Sequence, residues 1–268
     1  MHIPYNSELA REVGERVMSK VREWADDESK VLAKSRGAFP AWKDSNYNKE
    51  TEVYRNHCRL TVAPTGTISM IADTSSGIEP TFALAWKKQN ILEGKTLNYV
   101  NKYFEADAIK HGFHSEDLMD YLAEGGSLAT VPEVPDWAKA VYATAPDISP
   151  EDHVLMQSAF QSSCDSGISK TINFSNSATI EDVEDAYMLA WKEGCKGITV
   201  YRAGSREKEV LVKGNQEKAE QPTLDGFEIE EALINKPTHI KCCTNPNVVF
   251  ADGCETCKTC GWSACLIA

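Results

Sequence analysis

The stretch SKTINFSNSATIEDVEDAYMLAWKEGCKGITVYR, residues 169–202, decides the fold class. It opens with a β-type run, Ser169 to Phe174, and closes on another, Ile198 to Tyr201. Between them, Thr179-Ile-Glu-Asp182 has the form of a capping box. The cap hydroxyl serves the third helical amide, and the acid at that position reaches back to the amide of the cap. Val183, Ala186, Tyr187, Ala190 and Trp191 then recur at helical spacing, and Gly194 is suited to end the helix in a left-handed conformation. Two strands joined through a helix of this length cannot form a hairpin. They predict a parallel pair with a right-handed crossover, and so an α/β architecture.

Working upstream, residues 7 to 35 predict a long helix in which Leu9, Val13, Val17, Val21 and Trp24 form the apolar stripe. Gly37-Ala-Phe-Pro40 ends it, and a polar connection from Lys43 to Arg55 leads to Cys58–Ala63, which reads as a buried strand. Phe82 to Trp86 is a second short apolar run, and residues 99 to 124 read as mostly helical around Tyr103, Phe104, Ile109, Leu118, Met119 and Leu122. Ser149-Pro-Glu-Asp152 combines a capping serine, proline at the first helical position and first-turn acids, with Leu155, Met156, Ala159 and Phe160 as the face to be buried. Downstream, the composition turns charged and poor in apolar residues from about Glu207 to Gln221. The expected division is therefore a folded portion at 1–206, a polar linker at 207–240 and a cysteine-rich tail at 241–268.

The 268 residues are 42% apolar and carry a net charge of −12. That acidity argues against a general nucleic-acid binder, since phosphate backbones select basic surfaces. No apolar run reaches membrane-spanning length and the first residues lack a signal-peptide core, so the expectation is a cytoplasmic protein without membrane partners. Of nine cysteines, Cys58, Cys164 and Cys195 are scattered beside apolar runs and are expected in the core. The other six cluster after residue 241, which fits a terminal metal or redox module in a reducing compartment.

Two segments carry chemistry. Val62-Ala-Pro-Thr-Gly-Thr-Ile-Ser-Met-Ile-Ala-Asp-Thr-Ser-Ser-Gly-Ile-Glu-Pro80 leaves an apolar run through a turn rich in Thr, Gly and Ser and starts a helix at Met70-Ile71-Ala72. Such a turn directs backbone N–H groups at one point and suits a phosphate; an ordinary loop has the same composition. In the tail, Cys254, Cys257, Cys260 and Cys265 give two consecutive Cys-x-x-Cys spacings ending in Cys-Gly, a zinc-knuckle pattern. Accessible thiols on a mobile arm would equally serve disulfide exchange. His57 beside Cys58 is not a nucleophile pair, because neighbours on a strand point to opposite faces.

These segments, together with His2-Ile-Pro-Tyr-Asn-Ser7, Gly37-Ala-Phe-Pro-Ala-Trp42, Ser169-Lys-Thr-Ile-Asn173, Gly194-Cys-Lys-Gly-Ile-Thr-Val-Tyr-Arg202 and the terminal Cys254–Cys265 run, resemble in order the ribonucleotide reductase large chain. The similarity is greatest to the adenosylcobalamin-dependent class II. The resemblance implies the second half of a ten-stranded α/β barrel, then a flexible linker and a small cysteine-rich tail. It implies that Pro64, Thr65, Gly66, Thr67, Ile68 and Ser69 hold the substrate's phosphates. It places Ser75, Ser76, Gly77, Ile78 and Glu79 at the floor of the site, with Tyr201 at a strand end. It further implies a C-terminal cysteine pair that acts as a redox relay, assigned here to Cys260 and Cys265, with Cys242, Cys243, Cys254 and Cys257 then completing a zinc site, although adjacent Cys242-Cys243 departs from the usual spacing. Lys170 and Asn173 are expected to be solvated at a strand end or to touch cobalamin or substrate. Where class I relatives carry paired tyrosines, this chain has Tyr201 followed by Arg202, which fits a cofactor-generated radical.

The family's radical motif, Asn-x-Cys-x-Glu, does not occur in the 268 residues. The expectation is accordingly the C-terminal part of a ribonucleoside-diphosphate reductase, inactive alone. It would use adenosylcobalamin, a nucleotide substrate, a polypeptide carrying the missing finger loop, and thioredoxin or a glutaredoxin-like donor. Two rivals are a regulatory half-barrel module with a zinc ribbon and an independent thiol-disulfide protein.

Overall fold

The computed structural model describes residues 1–49, 52–91, 95–205, 248–251, 254–259 and 263–265. The chain divides into two compact units, Met1–Glu217 and Lys218–Ala268.

The first unit begins with α1, Glu8–Arg36. Ser7 caps it by accepting from the Ala10 amide, and Gly37, at φ +76°, ends it. The face that packs inward is Gly14, Met18, Ser29 and Ala33. This corrects the expected stripe: Val17 and Trp24 are 55% and 61% exposed. The two faces lie one residue apart on the helix. The small one is buried because Gly14 lets the helix approach the Phe160 ring. An aromatic group follows, in which Phe39 meets Trp42, Tyr47 and His57 edge-on.

Residues 58–63 form less of a strand than the sequence suggests. They make one parallel bridge, Val62 to Ile168, and Cys58 is exposed, not in the core. The Cys58 Sγ lies 2.7 Å from Ser166 Oγ. The short α2, Gly66–Ile71, comes next. A hairpin absent from the sequence reading follows: β1, Ala85–Ile91, antiparallel to β2, Lys95–Val100. Leu84 and Ala85 are buried, but Trp86 is exposed and stacks on Tyr99 at 5.9 Å. Helices α3, Lys102–His111, α4, Glu116–Ala123, and α5, Asp136–Val141, enclose a core of their own around Phe104, Leu118, Met119, Leu122 and Ala138.

Helix α6, Pro150–Gln161, starts at its Ser149 cap. Strand β3, Thr171–Phe174, helix α7, Ile180–Lys192, and strand β4, Thr199–Arg202, then form the expected parallel unit, with Thr171 opposite Thr199 and Asn173 opposite Tyr201. The capping box at Thr179 and Asp182 is present in both directions. Val154, Ile172, Phe174, Ala186 and Ala190 form the core between helices and strands. With the Val62 bridge, three chain segments run parallel side by side. Among the described residues this arc does not close into a barrel.

In the second unit, β5, Val248–Ala251, β6, Cys254–Cys257, and β7, Ser263–Cys265, form an antiparallel sheet in that order. The linker expected at 207–240 lies outside the described residues. Among the described residues, no helix is long and apolar enough to cross a membrane.

Candidate functional site

Two consecutive turns meet at the carboxyl end of the 60–62 segment. Thr65 sits in the left-handed region at φ 49°, and so does Asp73 at φ 51°. Left-handed backbone at a residue with a side chain is disfavoured and is concentrated where a ligand or a tight turn requires it. From Thr65 the chain enters α2. The Ser69 amide donates to Thr65 O at 2.9 Å, and the Ala72 amide to Ile68 O at 3.0 Å. The amides of Gly66, Thr67 and Ile68, in the first turn, have no acceptor among the described residues. Gly66, Thr67 and Ile68 are exposed residues.

Ser69 differs from the rest of the expected loop. It is buried, and its hydroxyl donates to Gly66 O at 2.8 Å, which turns it into the helix. Thr65 is engaged too: its Oγ1 accepts from the Gly77 amide at 2.9 Å. That bond locks the second turn to the first. Within the second turn the Glu79 amide donates to Ser76 O at 2.9 Å, with Gly77 at φ +51°. A Cβ at residue 77 would stand 3.1 Å from Ala63 O, so glycine is required by both dihedral and space.

Glu79 joins this turn to the sheet. One carboxylate oxygen accepts from the Thr171 amide at 2.6 Å, and the other from Lys170 Nζ at 2.6 Å. Lys170 is buried at 1% exposure, which corrects its expected place as a solvated strand-end residue. Its ammonium also meets His153 Nδ1 and Thr171 O, each at 2.6 Å. Burial, followed by the charge of Lys170, pushes the His153 ring down to about 4, so the ring is neutral at physiological pH. Burial lowers Lys170 while Glu79 raises it again, leaving it below the ordinary lysine value. From the opposite side the Tyr5 hydroxyl donates to Ile78 O at 2.7 Å. Burial, then the Glu79 charge, raises the Tyr5 phenol far above its ordinary value.

Tyr201 stands on β4 opposite Asn173, two residues beyond the level of the Thr171–Glu79 contact. The Arg202 guanidinium turns back to Ala178 O and Asn176 O. A cavity of about 280 Å³ is lined by Tyr5, Ser75, Glu79, Pro80 and Tyr142, and a second of about 520 Å³ lies among Phe113, Leu118, Tyr121 and Pro132. The walls of both cavities are formed without residues 64–69.

The buried cysteine expectation holds for Cys164, and burial raises its thiol. Cys195 is half-buried and is pushed up to about 11 by burial and then Glu193. In the tail, Cys254 pairs in register with Cys265, while Cys257 at the end of β6 is buried. Cys242, Cys243 and Cys260 lie outside the described residues. Among the described residues, no group of three His, Cys, Asp or Glu side chains could hold a metal ion. The network around Lys170 was missed from sequence: its members come from residues 5, 79, 153 and 170, and no local spacing joins them.

Residues 49–201 match the family profile of the ribonucleotide reductase barrel domain. The vitamin B12-dependent ribonucleoside-diphosphate reductase of Thermoplasma acidophilum is 44% identical over 236 residues, covering 88% of this chain and 30% of that protein. The protein of the same name from Mycobacterium tuberculosis (strain CDC 1551 / Oshkosh) is 42% identical over 209 residues, covering 78% of this chain and 30% of its own length. The chain thus spans about 30% of the length of these relatives. Among solved structures, the class Id ribonucleotide reductase alpha subunit of Actinobacillus ureae superposes with a TM-score of 0.62 at 24% identity, over 76% of this chain and 36% of that one.

Proposed function

Because the chain belongs to the ribonucleotide reductase family, we propose that it supplies the substrate-phosphate loop of an adenosylcobalamin-dependent enzyme that reduces ribonucleoside diphosphates to deoxyribonucleotides. The observation that carries this reading is the row of three amides at Gly66, Thr67 and Ile68, exposed residues that open α2 and have no amide acceptor among the described residues, next to Thr65, which the Gly77 amide holds. Amides held in this way can bind an anion without reorganising, and the helix start adds positive partial charge. The Pro64 ring and the left-handed Thr65 set the direction from which the amides meet the ligand. Ser76, Gly77, Glu79 and Tyr201 would form the neighbouring floor. The names of the relatives favour cobalamin and diphosphate substrates.

Adenosylcobalamin would supply the initiating radical when bound. The two cavities, of about 280 and 520 Å³, are each smaller than a corrin with its nucleotide arm. No Asn-x-Cys-x-Glu motif occurs in the sequence, so the sulfur that abstracts hydrogen belongs to residues beyond these 268, on a longer form of the chain or a separate polypeptide. Apolar side chains left open on α1 and α2, among them Trp24, Ile68 and Met70, fit contact with that missing portion. Cys260 and Cys265 would pass electrons to the active-site disulfide and be reduced again by thioredoxin or a similar donor. A zinc site at Cys242, Cys243, Cys254 and Cys257 would have the Cys-x-x-Cys spacing only at Cys254 and Cys257.

The test is reconstitution. The chain is mixed with a polypeptide carrying Asn-x-Cys-x-Glu, a ribonucleoside diphosphate, adenosylcobalamin and a dithiol, and deoxynucleotide is measured. Thr67→Pro removes one of the three amide donors and should raise KM about tenfold with a smaller change in kcat. An unchanged KM would refute the loop assignment. Product formed by the chain alone would refute the requirement for a second portion.

A further inference from the structure

Lysine is among the residues least expected at 1% exposure, yet Lys170 sits there at the entrance to β3. Its three N–H donors meet three acceptors at 2.6 Å: Glu79 Oε2, His153 Nδ1 and Thr171 O. His153 can accept at Nδ1 because its other nitrogen, 3.1 Å from Ala145 O, donates there. The second Glu79 oxygen takes the Thr171 amide. Carboxylate, ammonium and the first residue of β3 therefore close a ring, every polar group of which is bonded. A buried ion pair adds little net stability compared with apolar packing, but it restricts direction and distance far more tightly. Here it restricts the turn that carries Gly77, the residue whose amide holds Thr65.

We propose that Lys170 is a positioning residue, which through Glu79 fixes the 76–79 turn and, through the Gly77 amide and Thr65 Oγ1, the backbone of the anion-binding loop at 65–68. The link from Lys170 to the turn rests on geometry; its consequence for ligand rests on the phosphate-loop reading above. His153 orients the ammonium and Tyr5 braces Ile78, so the turn is held at three successive residues.

The test uses the 268-residue chain and three variants: Lys170→Met, Glu79→Gln, and the double variant Lys170→Met/Glu79→Leu. The double variant replaces the pair by apolar groups. If Lys170→Met alone fails to fold, the other two still give the answer. Hydrogen exchange at the Gly77 amide reports the turn, and interior amides of α7 serve as the internal control. Titration with inorganic pyrophosphate, followed at the amides of Gly66, Thr67 and Ile68, reports the loop. Expected in the double variant is a folded chain with a thermal midpoint above that of Lys170→Met, Gly77 exchange about tenfold faster than in the wild type, and pyrophosphate affinity about tenfold weaker. A merely structural pair would recover all three together. Unchanged Gly77 exchange and unchanged pyrophosphate affinity in a folded double variant would overturn the proposal. Faster Gly77 exchange, with no pyrophosphate response at residues 66–68 even in the wild type, would support the link to the turn and overturn the phosphate-loop reading.

Discussion

Replacing Gly77 by alanine tests the bracing of the backbone at residues 65–68 by energy. Gly77 lies at φ +51°, where an L-residue loses roughly 1–2 kcal/mol relative to glycine. Its new Cβ would also stand 3.1 Å from Ala63 O and 3.3 Å from Val62 Cγ1. Ala63 O is backbone at the end of the parallel segment, so the turn itself must give by a few tenths of an ångström. Distorting it stretches the 2.9 Å bond from the Gly77 amide to Thr65, worth about 1 kcal/mol. The sum is a loss of about 2–3 kcal/mol. In a unit of this size that lowers the thermal midpoint by roughly 4–12 °C. Gly77→Asn separates the two terms, because asparagine tolerates the left-handed region while keeping the same Cβ contact. Both variants should be followed by urea unfolding and by pyrophosphate titration. Alanine should be the worse in both assays. A Gly77→Ala protein with an unchanged midpoint and unchanged pyrophosphate affinity would show that the second turn does not brace the first.

Other outcomes follow from packing and charge. Gly14→Ala in an exposed helix would stabilise by about 1 kcal/mol, but here the Cβ would lie 2.6 Å from the Phe160 ring. Overpacking should win, lowering stability by about 1 kcal/mol in urea unfolding, and Phe160→Leu in the same chain should restore the gain. Ser149→Ala removes the hydroxyl that accepts the Asp152 amide at 3.1 Å and should lower stability by about 1 kcal/mol, read as a reduced urea midpoint. His153 is neutral when folded and takes up a proton when unfolded. Its contribution is complete above the ordinary histidine value of about 6.5 and is lost as pH falls toward 4, up to roughly 3 kcal/mol. His153→Gln keeps an acceptor for Lys170 and a donor for Ala145, so denaturation midpoints should show a flatter pH dependence across that window. The Arg59 guanidinium pairs with Asp26 at 2.5 Å and Asp165 at 3.5 Å over the Tyr54 ring. Burial alone would raise Asp165, but the Arg59 amide and the Arg59 and Arg22 charges outweigh it and hold the carboxyl below its usual range. Arg59→Leu should lower stability by about 3 kcal/mol at neutral pH. The difference from wild type should shrink as pH falls below about 4, where the carboxylate's contribution disappears in both proteins.

Local chemistry was legible in the sequence because its interactions span three or four residues. The caps at Ser7, Ser149 and Thr179 and the parallel pair around α7 follow directly from neighbouring residues. Pro, Thr, Gly and Ser marked residues 64–69 as a break after the apolar run, but the helix expected to begin at Met70 spans Gly66–Ile71 instead. The hairpin at 85–100 was not legible: Lys, Gln and Asn interrupt its apolar residues, and its pairing is decided between two strands rather than within either. The side of α1 that is buried was not legible either, since two apolar faces differ by one residue and packing of Gly14 and Met18 against Phe160, Cys164 and Ile168 chooses between them. Lys170 is the sharpest case. In sequence it is a charged residue at the edge of a β-run, with nothing to mark it as buried. Its partners stand 91 and 17 residues away, and no periodic pattern connects such distances. The chain alone thus determined where hydrogen bonds could close locally. The tertiary structure decided which charges leave water, because a buried ammonium is tolerable only where folding brings every acceptor to it at once.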